Sequence, residues 1–196
     1  MTRKAQWAMG IACVLAAGCA TVGHNFTLPP EGSLVIGSTT YEQAIAQIGP
    51  PYREGTGLKN GQMTNQIHYF FAGKGEKSAV PNTLPSRELL LVFSNNVLVA
   101  YRYRSSFEGD DTDFDESKVG EIVEGKTQKD QAIELLGQPS GIAVYPMVPD
   151  KNGALLVYIY SHSRFGDRAP YFKYLNITLD KDGVVSKVDF LSSGDR

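Results

Sequence analysis

Two stretches of the chain carry apolar residues at helical spacing. Tyr41, Ala44, Ile45 and Ile48 fall on one face of a helix, and so do Ala132, Ile133 and Leu136. Thr39 and Thr127 stand ahead of them as helix N-caps. Glu42 and Asp130 follow three residues later, the spacing of a capping box. Gly49 and Gly137 occupy the place where left-handed backbone ends a helix, and Pro51 and Pro139 forbid its continuation. The pattern predicts two helices of roughly ten residues, too short to persist without packing.

Runs rich in β-branched and aromatic residues follow each helix. They are Thr64–Phe71, Glu88–Phe93 and Val97–Arg104 after the first, and Ile142–Tyr145, Ala154–His162, Tyr171–Leu179 and Val184–Leu191 after the second. Ser94-Asn95-Asn96 and Asp180-Lys181-Asp182-Gly183 read as hairpin turns. Asp115–Glu124 reads as a further short helix. Gly73–Arg87 and Ser163–Pro170 are long connections, the kind that often carries function.

The two helical stretches are copies. Gly37 to Pro51 matches Gly125 to Pro139 without a gap, with Gly37, Thr39, Gln43, Ala44, Ile45, Gly49 and Pro51 repeated as Gly125, Thr127, Gln131, Ala132, Ile133, Gly137 and Pro139. The order of elements predicts an α+β fold: a tandem repeat of a short helix plus an antiparallel β-meander, with the helices on one face of the sheet. The boundaries expected are a leader over 1–18, a tether over 19–32, a first unit over 33–107, an acidic linker over 108–118 and a second unit over 119–196.

These repeated residues resemble the motif of the SmpA/OmlA (BamE-like) outer-membrane lipoprotein family. Two such units in tandem also resemble the fold of the β-lactamase inhibitory protein, in which helices cover one face of an antiparallel sheet and leave the other open. The first resemblance implies a binding partner among envelope proteins, including β-barrel assembly components. The second implies inhibition of a periplasmic or extracellular hydrolase. The assembly lipoproteins have one unit, whereas this chain has two.

Alternation along the strands assigns the faces. Val97, Val99, Tyr101 and Tyr103 share one side; Arg102 and Arg104 share the other with Leu98 and Ala100. Leu175, Ile177 and Leu179 oppose Tyr174, Asn176 and Thr178. With the aliphatic sets placed in the core, the open face is expected to present Arg102, Arg104, Tyr158, Tyr160, His162 and Tyr174. Tyrosine and arginine are enriched in binding hot spots, so these six are the candidate protein-binding residues. On that reading Arg102→Glu and Tyr158→Ala weaken partner capture without disturbing the fold.

The N-terminus points to export. Arg3 and Lys4 precede an apolar run from Trp7 to Ala17, which is too short to span a bilayer and fits a signal peptide. The run ends Leu15-Ala16-Ala17-Gly18-Cys19, which resembles the lipobox of bacterial lipoproteins, with Ala16 where that pattern favours leucine. Cys19 is therefore the expected lipidation site. Cleavage would remove Cys13 and leave Cys19 as the sole cysteine, so no internal disulfide is expected. Ala20, in place of aspartate, implies by the same resemblance the periplasmic face of the outer membrane.

Charge and composition narrow the chemistry. A net charge of −2 offers no basic footprint, so nucleic acid is not an expected partner. His24, His68 and His162 lie in separate elements and form no metal-spaced motif. His162 lies between Ser161 and Ser163 with Asp167 nearby, but no G-x-S-x-G accompanies it, and a strand-end histidine is the expected role. Asp111-x-Asp113-x-Asp115 begins like a calcium loop, yet Glu116 and Ile122 fall where such a loop needs glycine and glutamate. No cofactor, no metal and no catalysis are expected. The expectation is a lipid-anchored binding or scaffolding module, held to its membrane by acyl chains.

Overall fold

The structure is a computed structural model and describes residues 21–73 and 77–194, so the expected leader and Cys19 lie outside the described residues. The described residues form β1 (Val22–Gly23), α1 (Tyr41–Ile48), β2 (Arg53–Lys59), β3 (Gln62–Ala72), β4 (Ser86–Ser94) and β5 (Val97–Ser105). A 3-10 turn over Glu116–Glu121 follows, then α2 (Lys129–Leu136), β6 (Gly141–Val144), β7 (Ala154–His162), β8 (Tyr171–Leu179) and β9 (Val185–Ser193).

All nine strands join in one antiparallel sheet. Its order is β1-β3-β4-β5-β6-β7-β8-β9, with β2 also paired to β3. The fold is therefore β-rich, which corrects the expected α+β tandem of helix-plus-meander units. Two helices of eight residues do not make a layer. The strands do not separate into two meanders either, because β5 pairs with β6 through Ala100–Ala143, Tyr101–Ile142 and Arg102–Gly141. Separate meanders would each leave a row of bare backbone groups at that boundary; pairing satisfies them.

The two matched segments do share a local device. In α1 the N-cap is Thr40, whose hydroxyl accepts from Gln43 N–H while Gln43 Oε1 accepts from Thr40 N–H at 2.9 Å. Gln131 accepts from Gln128 N–H ahead of α2 at 2.8 Å. The caps thus sit one residue later than Thr39 and Thr127. Those threonines close the preceding turn, accepting from Val35 and Val123 N–H at 2.8 Å each. Their carbonyls accept from Leu98 and Val185 N–H, which ties each turn to a strand. Gly49 and Gly137 end the helices at φ of 96° and 82°.

Cross-strand partners share a face. One row runs Leu91, Tyr101, Ile142, Leu156, Ile177, Val188 across the sheet. Both helices pack on this face. Ala44 of α1 joins Ile67, Leu89 and Leu91; Ala132 and Leu136 of α2 join Leu156, Leu175 and Ile177. Residues expected to be spacers are docked here as well. Val22-Gly23 pairs with β3 and Phe26 is buried in the first core, so the 19–32 segment is tied to the sheet at these residues. Phe114, from the expected solvated linker, is buried against Tyr158 with ring centroids 5.7 Å apart.

The opposite row runs His68, Leu90, Arg102, Gly141, Val157, Asn176, Asp189. The chain's own segments cover part of this face. Val144 and Met147, at and beyond the end of β6, pack on Val92, Val99, Ala100 and Ala143. Tyr145 Oη donates to Asn60 O, and Asn60 Nδ2 donates to Pro146 O, fastening that segment to the β2–β3 turn. The remainder of this face, toward the far ends of β5 and β7, carries the charged residues.

Candidate open-face binding site

Glu88 is the centre of a charged cluster on the open face. Its carboxylate lies 3.1 Å from Arg104 Nη2, 3.9 Å from Arg102 Nη2 and 3.8 Å from His68 Nδ1. The register explains the grouping. Glu88 faces Arg104 directly, and Leu90 separates His68 from Arg102 one step along. Such pairs need the alternate positions of three neighbouring strands, so the cluster is a product of the sheet.

A notch in the sheet sets the position of Arg104. β6 stops at Gly141, so beyond it β5 and β7 face each other without a strand between. Polar side chains fill the gap. Ser140 Oγ donates to Val157 O and accepts from Ile159 N–H, Thr112 Oγ1 donates to Ile159 O at 2.7 Å, and Arg104 Nη1 donates to Ser161 Oγ at 2.5 Å. Arg104 therefore has one edge of its guanidinium fixed to the scaffold and another to Glu88. Arg102 keeps a side chain 37% exposed.

Aromatic rings flank the cluster on both sides. Phe70 faces Glu88 across β3 and β4, and Tyr52 packs on Phe70 at 6.3 Å. On the other side Phe172 and Tyr174 pack at 5.7 Å, opposite Ser161 and Ile159 of β7. All four rings keep some exposure. Paired charges bordered by half-exposed aromatics can donate and accept hydrogen bonds and bury ring area against a protein partner.

Of the six candidate residues, Arg102, Arg104 and Tyr174 lie on this face. Tyr158, Tyr160 and His162 do not: they lie on the helix-covered face and are buried, which removes them as contact residues. The reason is pairing. Tyr158 faces Leu175, Tyr160 faces Lys173 and His162 faces Tyr171, and these β8 residues point into the covered side. β7 is apolar on both faces, with Leu155, Val157 and Ile159 alternating against the tyrosines. Its own pattern therefore left the side undecided. In β5 a register shift at Val92/Phe93 turns Leu98 into the covered core and Val99 toward the open side, opposite to simple alternation. Glu88, His68, Phe70 and Ser161 were not among the sequence candidates. Only the strand pairing brings them together.

The buried residues have structural partners. Tyr158 Oη donates to Gly137 O at 3.0 Å, and burial holds its hydroxyl well above the usual tyrosine range. Burial pushes the Tyr160 hydroxyl up to about 12. His162 packs between the rings of Tyr160 and Tyr171, with centroids at 5.7 and 5.2 Å. Neither of its ring nitrogens has a hydrogen-bond partner among the described residues. Ser161 is engaged by Arg104, and Asp167 accepts from Arg164 N–H, so Ser161, His162 and Asp167 do not form a hydrogen-bonded triad. Two carboxylates of the acidic run are engaged as well: Asp113 pairs with buried Lys173 at 2.7 Å, and Asp115 accepts from Ser117. No group of three or more histidine, cysteine or acidic side chains that could hold a metal occurs among the described residues.

On the covered side a cleft of about 600 Å³ lies between the two cores, lined by Pro30, Leu34, Tyr103, Asp110, Leu136 and Tyr158 among others. The hydroxyls of two lining tyrosines are spent internally, Tyr103 on Asp110 and Tyr158 on Gly137. The open face, by contrast, has Arg102 and His68 with about a third of their side chains exposed.

No family model and no curated protein matches the chain, so the expected membership of the SmpA/OmlA family has no support of that kind. Among solved structures, a protein described as a putative beta-lactamase inhibitor from Streptococcus mutans is similar to this chain. The two share 13% identity, with 85% of this chain and 90% of that one covered at a TM-score of 0.46.

Proposed function

We propose that the chain is a lipid-anchored, non-catalytic protein-binding module that engages its partner through the open face of the sheet around Glu88. One observation carries this reading: a charged cluster fixed on three neighbouring strands and flanked by half-exposed aromatic rings, on a face that no helix among the described residues covers. The lipobox-like end of the leader supports attachment through Cys19, and Ala20 supports the periplasmic face of an outer membrane. An acyl-anchored protein needs more than one chain for stable attachment.

Two partner classes follow from the sequence. Inhibition of a periplasmic or extracellular hydrolase is the one to test first, because the assembly-lipoprotein resemblance finds no matching family model. The test is titration of the purified mature protein against hydrolases, β-lactamases included, with activity and complex mass read together. A stoichiometric complex that silences the enzyme supports the inhibitor reading. In parallel, a photo-crosslinker placed at Tyr174 in cells should join the chain to an envelope protein, whereas one at Phe190, on the covered face, should not. Equal crosslinking from both positions, with no complex in the titration, would overturn the open-face assignment.

A further inference from the structure

We propose that one end of the sheet, the end bearing the segments 77–85 and 163–170, is a membrane-facing surface that seats Phe165 in the bilayer holding the anchor. This rests on the lipidation of Cys19 proposed above.

Strand direction puts the relevant segments together. β3 ends at Ala72, β4 begins at Ser86, β5 ends at Ser105, β7 ends at His162 and β8 begins at Tyr171. Their connections therefore leave the sheet at the same end. β1 pairs Val22 with Ala72 and Gly23 with Phe71, so the chain also enters the sheet there. A Cβ placed on Gly73 would lie 3.3 Å from the Thr21 methyl. Cys19 is two residues upstream, and two extended residues reach about 7 Å. A lipid on Cys19 thus brings this end, and no other, against the bilayer.

The loops are laced into one layer. Ser78 bridges to Phe107 and Thr83 to Arg164. Phe165 N–H donates to Asn82 O at 2.9 Å, Ala79 N–H to Ser106 O at 3.0 Å and Glu108 N–H to Lys77 O at 2.8 Å. The backbone of Phe165 is therefore held in place, yet the residue is 74% exposed, the largest fraction among the exposed large hydrophobic residues described. Ala79, Pro81, Ala169 and Pro170 of the same two segments are exposed, with Lys77 and Arg168 as exposed basic residues and Glu108 as an exposed acid. An apolar tip with basic neighbours matches a bilayer surface, where the ring meets acyl chains and the cations meet headgroup phosphates.

The experiment uses the mature lipoprotein in vesicles of phosphatidylethanolamine and phosphatidylglycerol with brominated acyl chains. The chain's single tryptophan, Trp7, lies in the leader. Phe165→Trp therefore reports alone, and Leu58→Trp is the control. Leu58 is 66% exposed and pairs with Met63, nine residues along β3 from Ala72, or about 30 Å away. Emission from the Phe165→Trp protein should shift to the blue and lose most of its intensity to bromine, while the Leu58→Trp protein stays unchanged. Mass spectrometry of the Cys19 peptide separates the two readings. If Cys19 carries lipid and the Phe165→Trp protein is unquenched, or only the Leu58→Trp protein is quenched, the membrane-facing surface is overturned and the anchor stands. If Cys19 carries no lipid, both fall.

Discussion

The hydroxyl of Tyr158 donates a 3.0 Å hydrogen bond to the carbonyl of Gly137, the residue that ends α2. The first half of the chain has the same arrangement, where Tyr69 Oη donates to Gly49 O at 2.8 Å behind α1. In each half a strand tyrosine thereby fixes the end of a helix too short to hold itself. Burial pushes the Tyr69 hydroxyl up to about 12, as expected of a phenol kept neutral among apolar side chains.

Removing only that hydroxyl should be mild, and removing the ring should not. Tyr158→Phe leaves the Gly137 carbonyl without its donor and should cost about 1 kcal/mol in urea unfolding. Tyr158→Ala opens a cavity beside Phe114 and should cost about 3–5 kcal/mol. Loss of partner binding by Tyr158→Ala should track the loss of folded protein. Tyr158→Phe should bind normally. A Tyr158→Phe protein that is fully stable but fails to bind would return Tyr158 to the contact surface.

The joint between the halves is a second point of sensitivity. Only three residue pairs join β5 to β6, and Gly141 makes one of them with Arg102. A Cβ on Gly141 would lie 2.5 Å from Tyr101 O and 3.0 Å from Arg102 Cα, both backbone atoms that a rotamer change cannot move. Gly141→Ala should therefore destabilise the whole sheet by about 1–3 kcal/mol, as overpacking does. Equilibrium unfolding followed at two probes, one in each half, should show a lower midpoint. Unchanged stability would mean that the β5–β6 pairing adds little.

Much of the fold was legible wherever a residue pattern had one meaning. The residue pattern delimits β7 and β8 over their full lengths, because β-branched and aromatic runs bounded by polar turns admit no other reading. A hairpin turn stands where Ser94-Asn95-Asn96 predicts one, narrowed to Asn95 and Asn96, both at positive φ, because Ser94 still belongs to β4. The Asn60-Gly61 turn carries an even stronger signal, with φ of 44° and 76°, yet the residues of β2 carry no strand pattern of their own. Its sequence, Arg-Glu-Gly-Thr-Gly-Leu-Lys, is polar, and it lies almost wholly exposed on the edge of the sheet. Faces were harder to assign than strands. A period of two separates the sides of β8, where Leu175, Ile177 and Leu179 alternate with Tyr174, Asn176 and Thr178. It cannot do so for β7, which is apolar on both, or across the shift that reverses Leu98 and Val99. The Glu88 cluster was invisible for a related reason. Its members, His68, Glu88, Arg102 and Arg104, come from β3, β4 and β5, and nothing local links the three strands.

On the open face the largest effect is expected from charge reversal at a side chain that is both paired and exposed. Arg102→Glu sets a carboxylate beside Glu88 and should weaken partner binding by at least about 2 kcal/mol, roughly thirty-fold, as hot-spot residues do. Tyr174→Ala should also weaken it, through lost ring area. Circular dichroism should show both variants folded, since neither side chain lies in the covered core. Binding unchanged in both variants would move the contact surface elsewhere, with the covered-side cleft next in line.

His162 supplies the pH dependence. Burial lowers its pKa from the ordinary 6.5, and Arg164 adds to the effect, while Asp167 and Asp113 pull the other way without overcoming it. The folded protein therefore binds this proton less readily than the unfolded chain, so unfolding takes up protons. The contribution to stability is complete above pH 6.5 and is lost as the pH falls below that value toward the depressed folded pKa. Two ring nitrogens without hydrogen-bond partners among the described residues give the charged form little to compensate its desolvation. Melting temperatures should consequently fall between about pH 7.5 and about pH 5. In His162→Phe, which keeps a ring between Tyr160 and Tyr171, that fall should be smaller. Exposed carboxylates supply the same background in both proteins, so the difference between the two curves isolates His162. Parallel curves would mean that a water or another group satisfies the imidazole in both of its charge states.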